Sequence, residues 1–419
     1  MNDYHSGINE KVTYIPRWIT PSFLEAVKEF QVVVITGARQ VGKSTLITHV
    51  SGDNSWRYLT LDDFELLQTA KTRPQDLLLE PGNLIIDEVQ KAPQLMSAIK
   101  KEIDQNKKRH FILSGSANLL LMQAVSETLA GRAVYRTLYT FALGEIKQRD
   151  PLPLLDDFLA KKYKNLPSVT KEKELLESVL IKGFFPPVIA KHNRLDSAVS
   201  WMEGFVATFL ERDLRQLSQV ENLSDFRRLM GIMALRSGQM INQSEVSRDA
   251  NISQPTAHRY INLLETALLA EKVPAYAINR TKRLIKSPKF YWCDCGLASF
   301  LMGYNNIDDL KNAKAKGALF ETLVYQHLKI WASLLVPNPK IYYWRTTAGQ
   351  EIDFVIEKRK NLLAIEVKCS ENIGFSDVNN LKVFMEEYPE TTAGIIIYLG
   401  KTIRQISGNI YAVPWEAVV

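Results

Sequence analysis

The sequence predicts an α/β protein of several domains, with a mostly parallel sheet near the N-terminus and a second, mixed α/β unit near the C-terminus. Three observations predict it. Short β-branched runs (QVVVIT, WRYLTL, NLIIDE, HFILSG) alternate with helical periodicity up to Asp150, and buried all-apolar strands separated by helices mark a parallel sheet. A glycine-rich loop, Gly37 to Thr45, joins the first of these strands to a helix that starts at Lys43. After residue 296 a helix from Gly317 is followed by further strand-like segments, IYYWR, EIDFVIE, LLAIEVK and AGIIIYL.

At 419 residues the chain exceeds what one hydrophobic core organises. Hydrophobic residues make up 46% and charged residues 23%, which argues against a disordered or fibrous chain. Apolar runs such as Val32–Ile35 and Ile395–Leu399 are far shorter than the roughly 18 residues that span a bilayer, so no membrane association is expected. The opening MNDYHSGINE does not read as a secretory signal, and the three cysteines (Cys293, Cys295, Cys369) cannot all pair, so the expected location is cytoplasmic. Cys293-x-Cys295 lacks the second pair of a zinc ribbon. The net charge of +6 does not by itself indicate a nucleic-acid partner.

Four regions follow from the patterning: a nucleotide-binding unit over 1–150, a helical lid or linker over 151–222 broken by Gly183, Pro186 and Pro187, a winged-helix unit over 223–295, and the mixed α/β unit over 296–419.

GARQVGKST satisfies G-x-x-x-x-G-K-[ST] in the strand-to-helix context this loop requires. Gly37, Ala38, Arg39, Gln40, Val41, Gly42, Lys43, Ser44 and Thr45 would wrap a triphosphate with backbone N–H groups, aided by the helix N-terminus. Lys43 would reach the β- and γ-phosphates, and Ser44 would ligate Mg²⁺. Asp87 and Glu88 end an apolar strand 44 residues after Lys43. Asp87 suits the Mg²⁺ shell and Glu88 suits a base that orients the attacking water. Ser114, with Ser116 and Asn118, ends the next strand, either beside the γ-phosphate or as a simple helix cap. Arg132 is a candidate γ-phosphate contact, within the chain or from a neighbouring subunit of a homo-oligomer; the alternative is an ordinary surface arginine. Asn106-Lys107 is followed by Lys108 and Arg109, not by the N-K-x-D of guanine sites, so ATP is the expected nucleotide.

NQSEVSRDANISQPTAHRYINLLETALLAEK reads as two helices with a tight turn at Ala250–Ile252. The second helix is capped by Ser253 and exposes Thr256, His258 and Arg259. Strands then bracket Arg280, Lys282 and Arg283. From Ala207 to Phe290 there are thirteen Lys/Arg against eight Asp/Glu, which accounts for five of the chain's six excess positive charges. DNA is the expected partner, and the alternative is an ATPase lid or protein-docking module.

EIDFVIE and LLAIEVK flank the turn KRKNL and would form a hairpin. Asp353 and Glu366 would then face each other, with Lys368 on the same face as Glu366. This D…E-x-K pattern would bind Mg²⁺ through Asp353 and Glu366 and use Lys368 to stabilise or generate a hydroxide. Glu321 shares a helix face with Val324 and Leu328, where a carboxylate needs a partner or a metal, and it would complete the metal set. The alternative is an internal salt-bridge cluster in a fold used for binding.

GARQVGKST, YLTLDD, LIIDEVQKAP, FILSGSAN and LAGR, with KGFFPPVI, FLERDL, YYWRTTAGQEIDFVI and IEVKCS, resemble the AAA-type ATPases of bacteria and archaea that carry a C-terminal domain of unknown function. The resemblance covers most of the chain. It implies a P-loop parallel-sheet core of AAA type, then a winged helix, then a restriction-endonuclease-like domain. The expectation is an ATPase whose ATP state repositions the last two units on DNA. The alternative is an ATP-switched regulatory or scaffolding protein whose nuclease-like domain is idle.

Overall fold

A computed structural model describes residues 14–50, 56–115, 128–151, 153–162, 175–190, 194–210, 222–279 and 286–418. Ser116, Asn118 and the basic run Arg280, Lys282, Arg283 lie outside the described residues.

The N-terminal sheet has five strands: β1 (Val32–Thr36), β2 (Trp56–Thr60), β3 (Asn83–Asp87), β4 (Phe111–Ser114) and β5 (Ala133–Thr137). Their order is β2-β3-β4-β1-β5, and all neighbours are parallel. Helix α1 (Thr20–Glu29) precedes β1, and α2 (Lys43–Val50), α3 (Phe64–Thr72) and α4 (Leu95–Gln105) lie between successive strands. Both faces of β1 are buried, with Val33 and Ile35 in one core and Val32 and Val34 in another, which is why the strand reads as a continuous apolar run. Because β4 lies between β3 and β1, Ser114, Asp87 and the loop after Thr36 meet at one end of the sheet. That end carries the ligand in open α/β sheets.

A helical layer follows, comprising α5 (Leu143–Ile146), α6 (Leu154–Leu159), α7 (Leu176–Lys182), α8 (Pro186–Ala190), α9 (Leu195–Thr208), α10 (Leu223–Leu235), α11 (Gln243–Asp249) and α12 (Gln254–Thr266). The α11–α12 pair and its turn lie where the sequence places them. Asn242 caps α11, and Ser253 Oγ accepts from the Thr256 N–H to cap α12. The antiparallel strands β6 (Ala270–Val273) and β7 (Lys289–Trp292) come next, followed by α13 (Cys295–Leu301), α14 (Ile307–Lys311) and α15 (Lys316–Ser333). Gly183 sits at φ +62 against α13, where a Cβ would meet Asp294 Oδ1 at 2.2 Å, so a side chain there would drive the two helices apart.

The C-terminal sheet is mixed: β8 (Lys340–Arg345), β9 (Glu351–Lys358), β10 (Asn361–Lys368), β11 (Thr391–Tyr398), β12 (Arg404–Ser407) and β13 (Ile410–Pro414), in the order β12-β13-β11-β10-β9-β8. Helix α16 (Asn379–Glu387) covers one face through Leu381 and Phe384 against Leu362 and Ala364. On the other face Leu363 and Ile365 join the core that holds α15. This alternation follows the two-residue side-chain period of β10.

The hairpin β9–β10 forms as expected, but its turn is shorter than the KRKNL run. Lys358 pairs with Asn361, leaving Arg359 and Lys360 as the turn, with Arg359 at φ +61. One core runs unbroken from Val33 and Ile35 through α7, α9, α10 and α13 to α15.

Candidate functional site

Two sites emerge, one at each sheet. At the first, α2 begins inside the glycine-rich loop, with Leu46 N–H donating to the Gly42 carbonyl at 2.9 Å. Gly42 adopts φ +94 and Gln40 φ +61, the left-handed conformations that turn successive N–H groups inward. Lys43 is buried, and its ammonium donates to the Gly37 and Ala38 carbonyls at 3.0 and 2.9 Å, inside the loop. Arg39 is half-buried, while Ser44 and Thr45 face solvent.

Ser44 Oγ donates to Asp87 Oδ2 at 2.6 Å, and the Tyr58 hydroxyl donates to the same oxygen at 2.7 Å. Burial pushes the Asp87 carboxyl up, but the hydroxyls of Ser114, Ser44 and Tyr58 and the Glu88 N–H outweigh it and hold the group below the usual carboxylate range. Ser114 is fully buried beside Asp87, and its hydroxyl approaches without closing a full hydrogen bond. Asp87 therefore stays ionised, as a cation ligand must. Glu88 holds φ +56, an unfavourable conformation for a residue other than glycine, and accepts from the Gln90 amide. Such strain persists where surrounding contacts fix it, and it swings the Glu88 side chain out of the strand direction.

Sequence reading missed Tyr58 and Arg17. Arg17 is buried and ties the loop to the rest of the domain. It donates to the Val41 carbonyl at 2.9 Å and to the Tyr139 and Thr140 carbonyls at 2.7 and 3.1 Å, pairs with Glu145 at 3.3 Å, and lies over the Phe141 ring. Nothing local in the sequence marks it. Arg17→Met is expected to cost about 3–5 kcal/mol, because Glu145 would be left buried without its counter-charge. Denaturant unfolding checks this, and a loss below about 1 kcal/mol would mean that the pair behaves like an exposed one.

A cavity of about 730 Å³ opens beside Gly42 and Thr45, lined by Tyr14, Ile15, Phe141, Pro186 and Ile189 among others. Its apolar walls suit a planar base, and α8 supplies one side of it.

Arg132 is placed away from this site. It precedes Ala133, which pairs with Val32 at the start of β1, whereas the glycine-rich loop follows Thr36 at the other end. At about 3.3 Å per residue the strand separates them by more than 10 Å, and Arg132 instead pairs with Asp104 at 2.9 Å. The in-chain version of the Arg132 expectation is corrected on this ground.

At the second site the structure gathers Glu321, Asp353, Glu366 and Lys368. Between Tyr342 and Trp344 the partner strand advances three residues, from Val355 to Ile352, so β9 bulges at Asp353–Phe354. Bulges of this kind re-aim side chains next to active sites. Asp353 Oδ2 accepts from the Val367 N–H at 2.8 Å, and Lys368 Nζ donates to Glu366 Oε1 at 2.8 Å. Glu366 is largely buried, and its Oε2 has no partner. Burial, and then the neighbouring Asp353, push the Glu366 carboxyl up to about 8. Asp353 is raised mainly by burial.

Lys289, from β7, enters this group. Its Nζ lies 2.6 Å from Glu351, 3.2 Å from Glu321 and 3.5 Å from Asp353. Burial opposes its charge, yet those carboxylates hold the ammonium above its ordinary pKa. The Tyr291 hydroxyl also donates to Glu321. Glu321, expected to complete the metal set, already has an ammonium and a phenol at its carboxylate. Among the described residues no three His, Cys, Asp or Glu side chains are grouped to hold a metal ion. The pair Asp353 and Glu366, with the orphan Oε2, remains a fit for one cation. A signal for Lys289 was available in KFYW, where a lysine begins a run of buried aromatics.

Cys293 and Cys295 are free buried thiols. His258 is exposed on α12 and meets the amides of Gln243 and Asn262.

Residues 29–147 match the family model described as AAA domain. Residues 173–308 and 316–418 match two families, each described as a domain of unknown function, DUF8612 and DUF4143. The chain is similar to uncharacterized proteins of Mycobacterium bovis and Mycobacterium tuberculosis, each 28% identical over 94% of this chain and 82% of theirs. An uncharacterized protein of Haemophilus influenzae is 23% identical over 94% of this chain and 97% of its own length. Among solved structures it is similar to a Walker-type ATPase of Pyrococcus abyssi, with TM-score 0.45, 15% identity and coverage of 68% of this chain and 94% of that one. It is also similar to AMPPCP-bound DnaA from Aquifex aeolicus, with TM-score 0.29, 14% identity and coverage of 58% and 86%. Among the described residues no helix is long and apolar enough to cross a membrane.

Proposed function

From a chain whose N-terminal unit is an AAA-type P-loop ATPase domain, we propose an ATP-hydrolysing, Mg²⁺-dependent switch that repositions a helix-turn-helix unit and a nuclease-like domain on DNA. The observation that carries the ATPase reading is the 2.6 Å contact between Ser44 Oγ and Asp87 Oδ2. It joins the glycine-rich loop to the acidic end of β3, the pair of groups that phosphoryl transfer needs at one point.

In this reading the N–H groups of residues 37–45 hold the β-phosphate, and Lys43 exchanges the Gly37 and Ala38 carbonyls for phosphate oxygens. Ser44 and Asp87 would hold Mg²⁺, which neutralises charge on the β- and γ-phosphates. Glu88 orients the water, and Ser114 stands beside Asp87 to report the γ-phosphate. Adenine enters the cavity between Tyr14, Phe141 and α8. Because α8 carries Pro186 and Ile189, the same helical layer that reaches α13 and α15 meets the nucleotide. Arg132 would act only across a subunit boundary, in a homo-oligomer.

In the C-terminal unit Asp353 and Glu366 would hold the cation and Lys368 would assist a hydroxide on a DNA phosphodiester. Thr256, His258 and Arg259 on α12 offer the DNA contact. A second reading, an ATP-switched scaffold with an idle nuclease fold, is favoured by Lys289 already neutralising part of the carboxylate group.

The test incubates wild type and Asp353→Ala with linear, circular and single-stranded DNA, ATP, and Mg²⁺ or Mn²⁺. Wild type is expected to cleave at least one form, and Asp353→Ala to lose that cleavage by on the order of 10³-fold, the worth of several kcal/mol of charge stabilisation. A wild type inert on every form would leave the scaffold reading standing.

A further inference from the structure

Lys289 lies between Glu321, Glu351 and Asp353, three carboxylates on two separate elements, with its side chain only 3% exposed. An ammonium in that position is a tethered counter-charge. It carries one positive charge, it cannot be removed by a chelator, and its position is set by the chain. The chain holds it firmly. β7 pairs with β6, the Tyr343 hydroxyl donates to the Ser287 carbonyl at 2.5 Å, and Ala275 bridges to Tyr343 of β8. Lys289 cannot leave the carboxylates unless this hairpin separates from the edge of the C-terminal sheet.

The carboxylates therefore divide into two sets. Glu321 and Glu351 are matched by Lys289, with Tyr291 and Arg345 as further donors. Glu366 keeps a buried oxygen with no partner, beside an Asp353 whose Oδ2 accepts from the Val367 N–H while its Oδ1 faces Lys289 at the longer distance of 3.5 Å. A buried carboxylate oxygen with nothing to accept from is costly, and a cation there would satisfy it.

We propose that Lys289 takes the place of a second divalent cation, so that the C-terminal site binds a single ion, at Asp353 and Glu366. This rests on the metal-dependent reading of that domain given above. Lys289 is then a positioning residue: it holds Glu321 and Glu351 in place without itself meeting the ion or the DNA.

The experiment counts Mn²⁺ ions bound to the full-length chain, without nucleotide, by electron paramagnetic resonance of the free ion. Every variant also carries Ser44→Ala to silence the nucleotide site. The Ser44→Ala chain is expected to bind one ion and lose it in Glu366→Gln. Lys289→Met is expected to bind two, and Lys289→Arg one. Lys289→Gln, which keeps a donor for Glu351 and disturbs packing less, should match Lys289→Met. Thermal unfolding gives an independent reading, since Mn²⁺ should raise the Tm of Lys289→Met by more than that of its parent. One ion in both Lys289→Met and Lys289→Gln, with equal Tm shifts, overturns the role of Lys289 alone. A parent chain that binds none, with Glu366→Gln no different, overturns the metal-dependent reading itself.

Discussion

Lys43→Ala is expected to lower ATP turnover by roughly 10²–10³-fold, the loss that follows removal of one preorganised charged donor from a developing anion. The ammonium lies within the loop, 3.0 Å and 2.9 Å from two carbonyls of the same loop. Those carbonyls hold Lys43 ready rather than consuming it, because a phosphate oxygen is a charged and therefore stronger acceptor. Truncation also leaves two acceptors less satisfied, at about 1–3 kcal/mol, so phosphate release must be measured together with denaturant unfolding. A stable Lys43→Ala with wild-type turnover would show that the triphosphate is held elsewhere. A variant that is inactive only because it has unfolded would show itself in the unfolding curve.

The candidate nucleotide site could be read from the sequence because its parts are local. Gly37 to Thr45 are consecutive, and Asp87 and Glu88 end a strand whose apolar run places them at the sheet's ligand end. The one long-range fact required was that β3 and β1 lie in the same parallel sheet, which the alternation of strands and helices already implies. Arg17, Tyr58 and the cavity below α8 were not legible. Each depends on where a distant element crosses, and a lone buried arginine before a helix leaves no period or spacing to read.

The C-terminal site divides in the same way. Asp353, Glu366 and Lys368 are tied by a hairpin whose two-residue side-chain period can be read directly. Lys289 precedes Asp353 by 64 residues, and only the docking of β7 against α15 and β9 brings it in. The bulge at Asp353 shows no glycine or proline that would announce it. Arg132 shows the opposite error. LAGR comes after β4 in sequence, but β5 starts beside Val32, at the end of the sheet away from the glycine-rich loop, so order in sequence does not become nearness to the loop. The division into four regions follows composition. The unbroken core from β1 to α15 follows packing, which composition does not report.

Glu88→Gln is expected to keep ATP affinity while lowering turnover by about 10²–10⁴-fold, the usual worth of a positioned base. The substitution is nearly isosteric, so the φ +56 backbone and the contact with Gln90 can both persist, with only the negative charge removed. Asp87 and Ser44 are untouched, so the cation shell and nucleotide binding should survive. Calorimetry of ATP with Mg²⁺ and single-turnover phosphate release separate the two effects. Retained binding with stalled release places Glu88 at the water. Lost binding would move its role to holding the nucleotide, and unchanged release would require another base. A stalled complex also provides the direct test of coupling. If ATP acts through α8 and the shared core, DNA binding by Glu88→Gln should differ between its ATP-bound and nucleotide-free forms, and identical affinities in the two would uncouple the AAA domain from the units proposed to act on DNA.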